Sequence, residues 1–280
     1  MEYVTLNNGV KMPILGYGVY QVDPAECERC VLDALSVGYR SIDTAQAYRN
    51  EEGVGNAIEK SGLPRKDLFL TTKVWISNGG YAKAKVSIAE SLKKLKTDYL
   101  DLLLIHQPFN DYYGTYRAMT EAYKEGKIRA IGVSNFYPDR LIDFCRFQEV
   151  VPAVNQVETH PFQQQKAAHE VMGKYGVRHE SWGPFAEGRK DMFANPVIKS
   201  IGDAHHKSAA QVILRFLIQN DVVVIPKSTR IERMAENFDV FDFSLNAEQV
   251  SAIAALDEGE SAFFSHYDPR AVEMLTGLGR

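Results

Sequence analysis

The chain has 280 residues, 45% hydrophobic and 24% charged, a globular composition that excludes a disordered chain. Its 32 lysines and arginines against 36 aspartates and glutamates leave a formal charge of −4, so no basic excess exists to hold a phosphate backbone and nucleic acid is not an expected partner. No apolar run approaches the ~18 residues of a membrane span, and three cysteines suit a reducing cytoplasm better than a disulfide scaffold. The opening Met1-Glu2-Tyr3-Val4-Thr5 lacks the basic start and apolar core of a secretory signal, which agrees with a cytoplasmic location. Tyr3 to Met12 reads as a β-hairpin, with Asn8-Gly9 supplying the positive φ angles its turn needs.

Eight apolar runs follow: Ile14–Tyr20, Tyr39–Ile42, Leu68–Thr72, Tyr99–Ile105, Ile128–Val133, Ala153–Val157, Gly176–Trp182 and Val222–Ile225. Most are apolar on successive residues, as parallel strands buried on both faces must be. Helix start signals lie between or after them. Asp23-Pro24 is an N-cap followed by proline at the first helical position, and Ser208 and Asn246 each open a capping box closed three residues on by Gln211 and Gln249. No composition break marks a linker, so residues 1–280 are read as one domain. Eight strand–helix units of about 35 residues predict a (β/α)8 TIM barrel with the hairpin across its bottom, against a doubly wound open sheet as the competing fold.

In such a barrel, chemistry collects at the C-terminal ends of the strands. Asp43, Lys73 and His106 end the second, third and fourth runs at intervals of 30 and 33 residues, each about one βα unit. Tyr48, five residues past Asp43, lies on a loop that folds back over the same mouth. A phenol is a poor acid near neutral pH; an adjacent lysine cation is expected to lower its pKa, and Asp43 to keep that lysine charged. His106 would polarise a carbonyl by hydrogen bonding while Tyr48 delivers the proton. No side chain supplies a hydride, so the reductant must be a cofactor.

These four residues, with Gly38-Tyr39-Arg40-Ser41-Ile42-Asp43-Thr44-Ala45, Lys127 to Phe136, and Ile225-Pro226-Lys227-Ser228 to Asn237, together resemble the tetrad and signatures of the aldo-keto reductase family. The likeness runs in order from the hairpin to about Leu256 and is greatest to members of the diketogluconate reductase and prostaglandin F synthase type. It implies NADPH as cofactor. Ser134, Asn135 and Gln156 would hold the nicotinamide carboxamide, Trp182 would stack on the ring, and Asp43 would also contact its ribose. Lys227, Ser228 and Arg233 would grip the 2′-phosphate, and Glu236 and Asn237 the adenine. Tyr20, Trp75, Gln107 and His106 would line the substrate pocket, a C-terminal loop bearing Phe263, Phe264 and Tyr267 would close over it, and the relatives imply a monomer acting on small carbonyls.

Four positions depart from the family pattern. Gln107 and Gly183 stand where Trp and Ser are usual, and His179-Glu180 interrupt a strand that is normally more apolar. An amide at position 107 would favour polar substrates.

Several features have simpler explanations. Asp43 alone would fit an ion pair with Arg40. Cys27 and Cys30 share one helix face with no second pair to complete a zinc site, so core packing is expected and no metal. Gly16-Tyr17-Gly18 lacks the third glycine of a dinucleotide fingerprint, Gln21 taking its place. Two other functions remain open: a Schiff-base lyase using Lys73, and an NADPH-binding regulatory subunit without useful turnover.

Overall fold

The hairpin forms as expected, although of the two turn residues only Gly9, at φ 85°, takes a positive φ and Asn8 does not; β1 (Tyr3–Thr5) pairs antiparallel with β2 (Lys11–Pro13). The computed structural model describes residues 1–278. The hairpin lies across the N-terminal ends of the main strands, where Asn7 donates to the Pro152 carbonyl at 3.0 Å and Asn8 to that of Arg129 at 2.9 Å.

The eight expected strands all form, in places shorter than their apolar runs. They are β3 (Tyr17–Gly18), β4 (Ser41–Asp43), β5 (Phe69–Val74), β6 (Leu102–Ile105), β7 (Ile131–Ser134), β8 (Val154–Glu158), β9 (Arg178–Trp182) and β10 (Val223–Val224). Each pairs in parallel with the next in sequence. A parallel bridge between Leu15 and Val224, with the Gly16 amide donating to the Val224 carbonyl at 2.8 Å, joins last to first. That closure removes the open-sheet alternative. Gly18 permits it, because a Cβ there would lie 2.8 Å from the Ile225 carbonyl oxygen.

The connecting helices are α1 (Pro24–Val37), α2 (Glu51–Lys60), α3 (Tyr81–Lys94), α4 (Tyr112–Lys124), α5 (Pro138–Phe147) and α6 (Lys166–Tyr175). Two helices, α7 (Pro196–His205) and α8 (Ala209–Gln219), follow β9; α9 (Ile231–Phe238) follows β10, and α10 (Ala247–Ala254) and α11 (Pro269–Gly277) end the chain. Local chemistry sets their starts. Asp23 accepts from the Ala25 amide at 2.8 Å ahead of Pro24, and both capping boxes, Ser208/Gln211 and Asn246/Gln249, are made, each cap being worth about 1 kcal/mol.

Every residue of β4 through β8 is buried, since the strands face helices outside and packed side chains within. Cys27 and Cys30 are fully buried on α1 within the hydrophobic core. Among the described residues no helix is long and apolar enough to cross a membrane.

Candidate active site

Asp43 ends β4, Lys73 lies one residue from the end of β5, and His106 follows β6 directly. The short turn Gln46–Tyr48 after β4 carries the phenol back over them. Lys73 is completely buried, and its ammonium donates to the Asp43 carboxylate, to the Thr44 carbonyl at 3.0 Å and to the Tyr48 hydroxyl at 3.4 Å. Those three bonds occupy all three ammonium hydrogens. Arg40 instead donates to the Leu35 and Tyr39 carbonyls, so the Arg40–Asp43 ion pair is not formed.

Burial works against the Lys73 charge, but its neighbours, Asp43 foremost through its charge and its hydrogen bond, outweigh it and raise its pKa. This lysine is a fixed cation. The Tyr48 phenol corrects the sequence expectation: burial pushes it up to about 12, and Asp43 and Tyr20 add to the rise. Lys73 opposes them through its charge and its hydrogen bond without prevailing. Tyr48 therefore holds its proton throughout the neutral range. His106 is driven well below the ordinary imidazole range by burial, then by Lys73 and His266, and is neutral. Its Nδ1 is buried without a partner, which leaves Nε2 as the nitrogen open to the cavity His106 lines. Tyr48 and Trp75 hold the ring edge-on, with centroids 5.5 Å and 5.0 Å away, and Tyr20 packs on Tyr48 at 5.0 Å.

Beside this cluster, polar side chains from three further strands are already bonded to one another. Ser134 donates to the Gln156 carbonyl at 2.8 Å. Asn135, at φ 64°, shares its amide hydrogens among the His106 carbonyl, Gln107 and Ser134, while its oxygen accepts from the Trp182 indole at 2.8 Å. Gln156 donates to Asp43 at 3.0 Å and to Glu180 at 2.9 Å. Along β9 the polar residues alternate faces, as a strand requires. His179 bonds Thr159 and His169, whereas Glu180 joins Gln156 beside Asp43 and Lys73.

A cavity of about 1120 Å³ opens over these groups. Its lining includes Gly18, Ile225 and Lys227, and also Trp75, Phe263, Phe264 and Met274. Tyr20, Gln107, Ser134, Asn135, Gln156 and Trp182 also face it. Ser228, Arg233, Glu236 and Asn237 do not line it; they lie beyond, at and along α9, with Arg233 exposed and Asn237 buried. Gln107 is not a free polar wall. Its oxygen accepts from His266 Nε2 at 2.7 Å and from Asn135 at 3.3 Å. Gly183 has φ +63°, a left-handed position that disfavours the usual serine, and it faces the Phe263 ring.

The match to known proteins decides the family. Residues 14–258 match the model of the aldo/keto reductase family. The chain belongs to that family. It is 46% identical over 261 residues to a glyoxal reductase of Bacillus subtilis, covering 92% of this chain and 94% of the relative. To methylglyoxal reductase DkgA of Escherichia coli it is 42% identical over 260 residues, at the same coverage. A crystal structure of a Bombyx mori aldo-keto reductase in complex with NADP superposes with a TM-score of 0.88, at 32% identity, covering 94% of this chain and 95% of that one.

In this chain the C-terminal tail is tied down at several points. Glu158, at the end of β8, accepts from the Ser261 hydroxyl at 2.5 Å and the Ala262 amide at 2.7 Å, and His266 bonds Gln107. Phe263 and Phe264 line the cavity, but Tyr267 does not: it is exposed and donates to Asp139 at 2.7 Å. Met274, Leu275 and Leu278, in and just after α11, line it instead. Sequence reading missed those three, and also His266, Glu158 and the inward turn of Glu180. Only the alternating faces of β9 could have flagged Glu180.

Proposed function

We propose that this protein reduces aldehydes or ketones to alcohols with NADPH. The observation that carries the reading is the four-residue cluster at the cavity floor: a protonated phenol, a fixed ammonium, its carboxylate and a neutral imidazole. The cavity, about 1120 Å³ with Lys227 and Trp75 both in its lining, exceeds the ~300–1,000 Å³ of ordinary ligand sites and has room for a dinucleotide with a small substrate. When bound, the dihydropyridine supplies the hydride that no side chain can.

In this reading Tyr48 is the general acid. It stays protonated until negative charge grows on the carbonyl oxygen, and then Lys73, bonded to its hydroxyl, stabilises the phenolate that forms. His106 Nε2, carrying the proton of the neutral ring, donates to the carbonyl oxygen and orients it. Asp43 holds Lys73 in its charged state. Ser134, Asn135 and Gln156 would hold the carboxamide through acceptor sites that their mutual bonds leave free, with Trp182 against the ring. Lys227, Ser228 and Arg233 would meet the 2′-phosphate, and Glu236 and Asn237 the adenine. A Schiff-base lyase needs a neutral Lys73, and the ion pair with Asp43 opposes that.

Small dicarbonyls lead the candidate substrates, by likeness to the glyoxal and methylglyoxal reductases, ahead of aromatic aldehydes and keto sugars. The test mixes the protein with NADPH and this panel and follows loss of nicotinamide absorbance. Turnover of at least one carbonyl is expected. Tight NADPH binding with no turnover would overturn the reading in favour of a regulatory role.

A further inference from the structure

Glu180 is a carboxyl in a place where a carboxylate is expensive. It is fully buried on β9, at the inner side of the barrel beneath the cavity. One oxygen accepts from Gln156 at 2.9 Å; the other is buried with no partner. An unpartnered carboxylate oxygen in a protein interior carries a large desolvation penalty, and a neutral acid a much smaller one. The charged and titratable groups around it are few. Asp43 comes from β4 and Lys73 from β5, with Tyr48 bonded to Lys73 in turn; β8 offers Gln156 and, at its end, Glu158, which is held by His160, Ser261 and Ala262, and β10 offers only valines. One ammonium thus stands against two acids, and Asp43 already holds it.

Resting on the reductase reading above, we propose that Glu180 is a positioning residue. As a neutral acid it fixes the Gln156 side chain and keeps a second negative charge away from Lys73. Two consequences follow from the geometry. Gln156 uses its amide nitrogen on Asp43 and Glu180, so its carbonyl oxygen is the end available to the cavity it lines. The Lys73 charge, balanced by Asp43 alone, stays available to the Tyr48 hydroxyl. Ionising Glu180 would draw on that charge and make Tyr48 a weaker acid. Burial, then the neighbouring Asp43, raises Glu180 to about 8, with Gln156 and Lys73 opposing.

The sign of the linkage gives a test that needs no turnover. An acid whose pKa is higher folded than unfolded adds stability while it is protonated, and that stability fades as pH rises from the unfolded value toward the folded one. Melting of the cofactor-free protein is followed from pH 6 to 9 for wild type and for Glu180→Gln, which keeps an acceptor for Gln156 but cannot ionise. The Tm of Glu180→Gln minus that of wild type is expected to grow by about 5 °C between pH 6 and 8 and then level off. A pH-independent difference overturns the neutral acid. Should the variant not fold, infrared titration of wild type decides. A carboxylic-acid carbonyl band that disappears near pH 8 supports the assignment, and its absence at pH 6 contradicts it.

Two further readouts separate positioning from structure. The alkaline decline of kcat in wild type is expected to move at least one pH unit upward in Glu180→Gln, and an unmoved limb overturns the link to Tyr48. Glu180→Leu, which leaves Gln156 without its second acceptor, is expected to weaken NADPH binding about tenfold, measured by quenching of tryptophan fluorescence, and an unchanged Kd overturns the link to Gln156. If melting behaves as stated but no carbonyl is reduced, the reductase reading fails and the neutral acid stands.

Discussion

The floor of the cavity and its rim are built differently. At the floor, Asp43, Lys73, Tyr48 and His106 come from successive strand ends, and the ion pair among them is buried. At the rim, single hydrogen bonds join distant segments: His266 with Gln107, 159 residues apart, and the Ser261 hydroxyl with the Glu158 side chain, 103 residues apart. A buried charge pair is rigid because losing either partner strands the other. A neutral hydrogen bond contributes about 1 kcal/mol and exchanges with water. Under the function proposed above, reaction type would reside in the part that cannot relax, and substrate choice in the part that can.

The sharpest way to break this contrast is Lys73→Met, which leaves Asp43 buried and unpaired. A loss of about 3–5 kcal/mol in denaturant unfolding is expected, partly restored by Asp43→Asn in the same chain; a loss under 1 kcal/mol would make the floor no more rigid than a surface ion pair. Next in size, Arg233→Ala removes an exposed cation on α9 and is expected to weaken NADPH by about 1.5–3 kcal/mol, the range of a charge-assisted bond, while NADH binding stays put. Equal losses for both would show that α9 does not read the phosphate.

His266→Ala should cost about 1 kcal/mol of tail closure, seen as a severalfold rise in substrate KM with NADPH Kd unmoved. A fall in kcat alone would place the tail in the chemistry instead. The smallest effect is pH. Burial, then Arg140 against an opposing Glu158, lowers His266 to about 4, so its latch is fully present above the ordinary imidazole range and is lost as pH falls toward 4. Between pH 7 and 6 closure should weaken by about 0.7 kcal/mol, raising KM in wild type but not in His266→Ala.

The floor was legible because strand periodicity fixes which residues reach a barrel mouth: the intervals from Asp43 to Lys73 to His106 are single βα units. Its electrostatics were only half legible. The neighbour of Tyr48 could be read from spacing, but not that burial outweighs it. The rim was legible at Phe263 and Phe264 and opaque at His266, because no local pattern links a tail histidine to a glutamine on the opposite loop. Gln107 looked like a free amide for the same reason. Glu180 seemed a flaw in an apolar strand until its partners on β4, β5 and β8 were in place.

The central claim is that Tyr48 supplies the proton, and Tyr48→Phe tests it most directly when kcat for a reduced carbonyl and the Kd for NADPH are measured together. A fall in kcat of about 10²–10⁴-fold with an unchanged Kd is the predicted result; turnover within a fewfold of wild type would contradict it.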